Sequence, residues 1–218
     1  MPRNAEPPFK VKVKALREAT SFAVFLTRGS NKLRVSTSFF LAVHEKLLFY
    51  NEKARGRFRK ATDVIEIPEG TFVPTESWQI EQKIIDLSEI ISNKRKWWPI
   101  FRDKILNQLS DKDDYAENDL RSLYKIFIAW YVHHQIVLIH PFCDGNGRIA
   151  RLMMCMLLRE NGMAKMAYPP LINSIICKNK NEYLDCLNSA DKGNFITGLN
   201  YMVKVMSEAY KEFSKLLK

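Results

Sequence analysis

Twelve consecutive residues, His140-Pro141-Phe142-Cys143-Asp144-Gly145-Asn146-Gly147-Arg148-Ile149-Ala150-Arg151, bring together an imidazole, a carboxylate, two glycines flanking an asparagine, and two arginines. Glycines at 145 and 147 let the backbone take positive φ and approach a ligand closely. The free N–H groups where a helix begins form a nest for anions, and the helix dipole adds to it. Arg148 and Arg151 stand one helical turn apart, so they share a face, and a guanidinium pair suits phosphates held bidentately. Asp144 is of the type that holds a magnesium ion, which neutralises phosphate charge during transfer. His140 carries the side chain poised near neutral pH, able to take a proton from an attacking hydroxyl. Taken singly, each feature reads blandly: a histidine after an apolar helix sits in the core, D-G-N-G is a turn, and two arginines are a solvated face. Together they fill the separate requirements of one reaction at a phosphate.

Those groups need helices to position them. The apolar run Ile136-Val137-Leu138-Ile139 leads into the loop, and Leu152, Met153, Met154, Leu157 and Leu158 continue a helical pattern beyond it. Leu120 to Ile139 is apolar on nearly every side, which marks a helix at the centre of a bundle. A helix is expected over 15–28, and Ser36 or Thr37 caps another through Phe39, Phe40, Val43, Leu47 and Leu48. A further one runs from Ser77 to about Asn93, with others over 181–190 and 195–217. Residues 1–14 alternate and read as an arm or short edge strand. Residues 55–75 carry Val64-Ile65-Glu66-Ile67, a Pro68-Glu69-Gly70 turn signal and Thr71-Phe72-Val73-Pro74, a β-hairpin flap. Residues 94–118, mixed basic, aromatic and acidic, are the one candidate linker. The expected class is mainly α, a helical bundle with one small β-hairpin flap. It divides into an N-terminal arm and helix (1–34) and a catalytic domain with C-terminal helices (35–218).

Composition bounds the rest. A chain of 218 residues, 46% hydrophobic and 27% charged, reads as globular with a sizeable core. No apolar run approaches the roughly 20 residues that span a bilayer, and the N-terminus lacks a signal-peptide pattern, so no membrane association and a cytoplasmic location are expected. Cys143, Cys155, Cys177 and Cys186 form no C-x-x-C pair and read as reduced thiols; they offer no zinc-ligand spacing. The net charge of +10 is spread among acids, without a zinc-finger, basic-zipper or RNP pattern, so nucleic acid is not the expected partner.

The loop also resembles the signature H-P-F-x-D-G-N-G-R-x-x-R of the Fic (filamentation induced by cAMP) family of nucleotidyl transferases, and every signature position matches without gaps. Weaker likeness extends over about 35–205: His44-Glu45-Lys46-Leu47-Leu48 with Gly56-Arg57-Phe58-Arg59, the Thr71-Phe72-Val73-Pro74 segment, and Glu182-Tyr183-Leu184. The resemblance implies a protein adenylyltransferase using ATP and Mg2+, transferring AMP to a Ser, Thr or Tyr hydroxyl of a target protein. It implies that His140 deprotonates the acceptor and Asp144 coordinates magnesium. Gly145, Asn146, Gly147 and Arg148 would hold the α- and β-phosphates, and Arg151 would reach the γ-phosphate. Phe142 would anchor the loop. Tyr183 would line the nucleotide or serve as a core aromatic. Gly70, Thr71, Phe72 and Val73 would pair with the target backbone as an added strand.

Many relatives carry an inhibitory helix, [S/T]-x-x-x-E-[G/N]. Here Val24 follows Thr20 and Phe25 follows Ser21 at that spacing, and Ser207-Glu208 is spaced wrongly. Arg151 is therefore expected to be unrestrained in cis, with a trans-acting inhibitor or homo-oligomer as the alternative. Other donors, de-AMPylation and a non-catalytic binding module are the rival readings. His133 is expected to be a buried hydrogen-bonding residue, and Trp97-Trp98 to be packing. Lys94-Arg95-Lys96 reads as a solvated face, and Cys143 as a residue without a catalytic role.

Overall fold

The computed structural model describes residues 7–27, 33–65, 67, 72–108, 117–164 and 167–215. Among them the ordered elements are helical, and none is a strand. They are α1 (Phe9–Thr27), α2 (Thr37–Leu47), α3 (Ile80–Ser92), α4 (Trp97–Lys104), α5 (Glu117–Ile139), α6 (Asn146–Glu160), α7 (Pro169–Lys178), α8 (Lys180–Asp191) and α9 (Ile196–Lys215). No helix among the described residues is long and apolar enough to cross a membrane.

The expectation for α5 holds in detail. Phe127, Ile128, Ala129, Trp130, Val132 and Ile136 are fully buried, and α3, α4, α6 and α9 pack around the helix. Its antiparallel-style return into α6 places the intervening loop at one end of the bundle. α2 begins where its cap requires: the Ser36 side chain accepts from Phe39 N–H at 3.2 Å.

Four expectations need correction. α1 starts at Phe9, not near residue 15, so the alternating Lys10–Lys14 stretch is helical. Pro7-Pro8 stands at its entrance, and the Pro8 carbonyl accepts from Val11 N–H at 2.9 Å. Ala15, Ala19 and Ala23, four residues apart, give a stripe of small buried side chains against the rest of the core. The 94–118 linker is not a linker over its described part. Trp97, Phe101 and Ile105 repeat every four residues, are buried, and Trp97 Nε1 donates to Ile90 O at 2.6 Å. α7 was not expected; Pro169-Pro170, which reads as a breaker, occupies its first turn. The hairpin is not seen either. The described residues of 55–75 are turns and extended backbone without a ladder, while Glu66, Pro68, Glu69, Gly70 and Thr71 lie outside the described residues.

Candidate active site

The loop between α5 and α6 is held from below by a residue that motif reading passed over. His44 of α2 is completely buried. Its Nδ1 accepts from Gly56 N–H at 3.1 Å, which leaves Nε2–H to donate to the Asp144 carbonyl at 3.0 Å. Its ring stacks on Phe142 at 3.7 Å, 9° from parallel. Burial lowers its pKa to about 4, so it stays a neutral linker. The signal was present in the sequence as a histidine on the apolar face of a capped helix, where a bland core role was the natural reading.

Asn146 completes the frame. Its Oδ1 accepts from Phe142 N–H at 2.9 Å and its Nδ2 donates to Phe142 O at 2.8 Å. Both ends of this side chain are committed to the loop backbone. Those two bonds fix the orientation of the amide, and its backbone N–H belongs to the open start of α6. Phe142 is the buried anchor expected of it.

Gly145 takes φ 86°, the left-handed conformation that turns the chain into α6. The first intrahelical bond runs from Ile149 N to Gly145 O at 2.9 Å, so the N–H groups of Asn146, Gly147 and Arg148 precede it. No side chain caps this helix start. A Cβ on Gly147 would lie 3.1 Å from Arg151 Nη1, so the bare glycine is what lets the guanidinium fold over the nest. Arg151 Nε is buried without a hydrogen-bond partner, and Arg151 has no ion pair among the described residues. Arg148 is fixed by two contacts, Nη1 to Tyr50 Oη at 2.5 Å and Nη2 to Asp144 Oδ2 at 2.9 Å. The Asp144 carboxylate, whose Oδ1 also accepts from Gly145 N–H, remains 55% exposed.

His140, at the end of α5, has φ 49°, and its Nδ1 donates to Val137 O at 3.3 Å, leaving Nε2 as the acceptor. Burial, with Arg59 nearby, lowers its pKa below the ordinary 6.5. Arg59 is a second residue to which the sequence, beyond the resemblance of its segment, assigned no role. Its Nε donates to His140 O at 2.6 Å and its Nη2 donates to Thr75 O, joining the flap segment to the catalytic loop. Thr75 N–H also reaches Leu138 O at 3.3 Å. Of the flap residues named from the sequence, Phe72 lies with its ring 5.5 Å from that of His140, and Val73 is 85% exposed. Gly70 and Thr71 lie outside the described residues.

Tyr183 is buried. Its hydroxyl meets His133 Nε2 at 3.3 Å and interacts with the Arg151 guanidinium, so it reaches the loop through that side chain. His133 is fully buried and stacked on Trp130 at 5.1 Å, as expected of a structural residue. Cys143 has its pKa pushed up to about 11, first by burial and then by Asp63, which keeps it a thiol.

Residues 34–158 match the model of the Fic/DOC family. The chain belongs to the Fic/DOC family. Among its relatives, protein adenylyltransferase fic-1 of Caenorhabditis briggsae is 31% identical over 110 residues, 50% of this chain and 20% of that protein. Protein adenylyltransferase Fic of Drosophila persimilis is 41% identical over 73 residues, 34% of this chain and 13% of that protein. The matched segments thus span a fifth or less of the length of these relatives. A structure of Fic-1 (residues 134–508) from C. elegans superposes with a TM-score of 0.65 at 19% identity, covering 99% of this chain and 54% of that one. A Fic family protein from Desulfovibrio desulfuricans superposes at 0.62 and 19% identity, covering 98% and 56%. Both show the same helical fold.

Proposed function

We propose that this Fic domain transfers AMP from ATP to a Ser, Thr or Tyr hydroxyl of a target protein. The observation that carries the reading is the pairing of a neutral His140, its Nε2 free to accept, with an uncapped helix start under an Arg151 that has no carboxylate partner among the described residues. The polyphosphate would lie along the N–H groups of Asn146, Gly147 and Arg148, with both guanidiniums on its oxygens. His140 Nε2 would take the acceptor's proton as its oxygen bonds to the α-phosphorus. The bond from that phosphorus to the bridging oxygen would break, and pyrophosphate would leave. Positioning and charge stabilisation are the protein's share.

Among the described residues no group of three or more His, Cys, Asp or Glu could cage a metal. A single half-exposed carboxylate beside a phosphate nest fits Mg2+, which takes one or two carboxylates and fills its shell with phosphate oxygens and water. Asp144 would hold it, and the ion would neutralise charge building on the leaving pyrophosphate. A pure phosphate-binding module has no use for a base on the same loop, which favours the enzyme. That Arg151 has no carboxylate partner among the described residues supports activity that is unrestrained by them, with control left to a separate inhibitor or a second copy. A cytoplasmic setting belongs to the same reading.

Incubating the protein and a lysate with ATP labelled at the α- or γ-phosphate tests this. Label should transfer from the α-phosphate only, and His140→Ala should lower the rate by about 10²–10⁴-fold. Transfer from the γ-phosphate, or none at all, would overturn the proposal.

A further inference from the structure

A groove of about 470 Å3 opens beside α5, and its lining includes Phe72, whose ring lies 5.5 Å from that of His140. Tyr131, His134, Gln135 and Leu138 form its α5 wall; at i, i+3, i+4 and i+7 they share one helical face. Phe195, after α8, and Phe72 complete its aromatic lining.

Several polar groups around the groove already have partners. His134 Nε2 donates to Asp191 Oδ1 at 2.8 Å, and its Nδ1 lies 3.3 Å from the Gln135 amide nitrogen, which donates to it. Lys104 at the rim is paired with Asp103 at 3.0 Å. The larger part of the lining is apolar, from Phe72, Val73, Tyr131, Leu138 and Phe195. An apolar group laid against that part leaves water and gains transfer energy in proportion to the area covered.

The position of the groove says what that group belongs to. Phe72 is both its wall and the neighbour of the His140 ring, at 5.5 Å. In an extended segment, side chains two residues apart lie on one face about 6.6–6.8 Å from each other. A segment that presents its hydroxyl to His140 therefore carries the side chain two residues away across Phe72 and over the groove.

We propose that this groove is a specificity pocket for a large apolar side chain, Phe or Leu in size, two residues from the modified hydroxyl of the target. It rests on the adenylyl-transfer reading and supplies what that reading leaves open, the choice of target sequence.

The test uses the whole chain and short fluorescent peptides with a central Thr and Phe, Ala or Asp two residues to one side or the other. Binding is read by anisotropy, with no turnover required. For one of the two placements the Phe peptide should bind at least about tenfold more tightly than the Ala peptide, the effect of burying one such side chain. Gln135→Trp and Lys104→Trp fill the groove from different elements; each should bring the ratio within about twofold. An unchanged unfolding midpoint shows that the variant has folded. Equal affinity of the Phe and Ala peptides, or selectivity that survives both tryptophans, would overturn the pocket. Transfer of label from ATP to the same peptides is scored separately. A peptide bound selectively yet never labelled would sink the adenylyl-transfer reading and leave the pocket standing.

Discussion

The phosphate loop and the flap are neighbours built on opposite plans. Residues 140–151 are cross-braced from every side. Asn146 is bonded to Phe142, His44 to Asp144, and Arg148 to Tyr50, with the groups facing a nucleotide set by these contacts. The flap side of the site rests on Arg59 and Thr75, with Val64 and Val73 almost wholly exposed. The difference separates two tasks. Stabilising charge on phosphate oxygens needs donors fixed in advance, because reorganising them at the moment of reaction costs rate. Reading a protein segment needs an edge that the partner itself completes.

The largest effect should come from loosening the braced side. Asn146→Ala removes two hydrogen bonds and leaves the buried Phe142 N–H and C=O without partners. A loss of about 2–4 kcal/mol in unfolding free energy is expected by denaturant titration, together with loss of AMP labelling. If stability holds within about 0.5 kcal/mol, the loop is not braced as described. Next comes the joint between the two regions. Arg59→Lys keeps the charge but loses the fork that joins His140 O to Thr75 O. It should cost about 1–2 kcal/mol in kcat/KM for the target while leaving nucleotide affinity unchanged. A weakened ATP affinity would mean that the joint serves the nest instead.

How far each region could be read from sequence follows the same division. The loop's place between two helices and its family were legible because an imidazole, a carboxylate, glycines and guanidiniums at that spacing form a distinctive signature. The central α5 was legible because a helix buried on all sides must be apolar all round. What braces the loop was hidden, since His44 and Arg59 lie about 100 and 80 residues away in sequence, and their value depends on tertiary contacts of single backbone carbonyls. The bracing role of Asn146 was hidden for a related reason: an amide beside a phosphate nest and an amide stapling its own loop look identical in sequence. Local punctuation misled twice. Pro169-Pro170 opens a helix instead of ending one, and the Lys10–Lys14 alternation is overridden by the alanine stripe that follows it.

A gentler probe is pH. On the proposed reading His140 is a base, which it can be only when neutral. Its folded pKa lies below 6.5 because burial disfavours the imidazolium, and the Arg59 charge adds in the same direction. Activity is therefore retained as pH falls to 6.5 and is lost only on descending through that lowered value. The acidic limb of kcat/KM for AMP transfer should have its midpoint below 6.5. A midpoint above it would place His140 in a more solvated or more acidic setting than the loop provides.

The smallest effect on the fold should come from the flap itself. Val73 is 85% exposed, so little of its side chain leaves water when the chain folds. Val73→Ala should change the unfolding free energy by less than about 0.5 kcal/mol. Its effect on labelling should fall on the target side: KM for a protein acceptor should rise, with KM for ATP unchanged, because Val73 contributes apolar surface only once a partner covers it. A change in stability above about 1 kcal/mol would mean that the flap is already packed in the free protein. The contrast between a finished phosphate site and an edge awaiting its partner would then fail at the residue where it is most exposed to test.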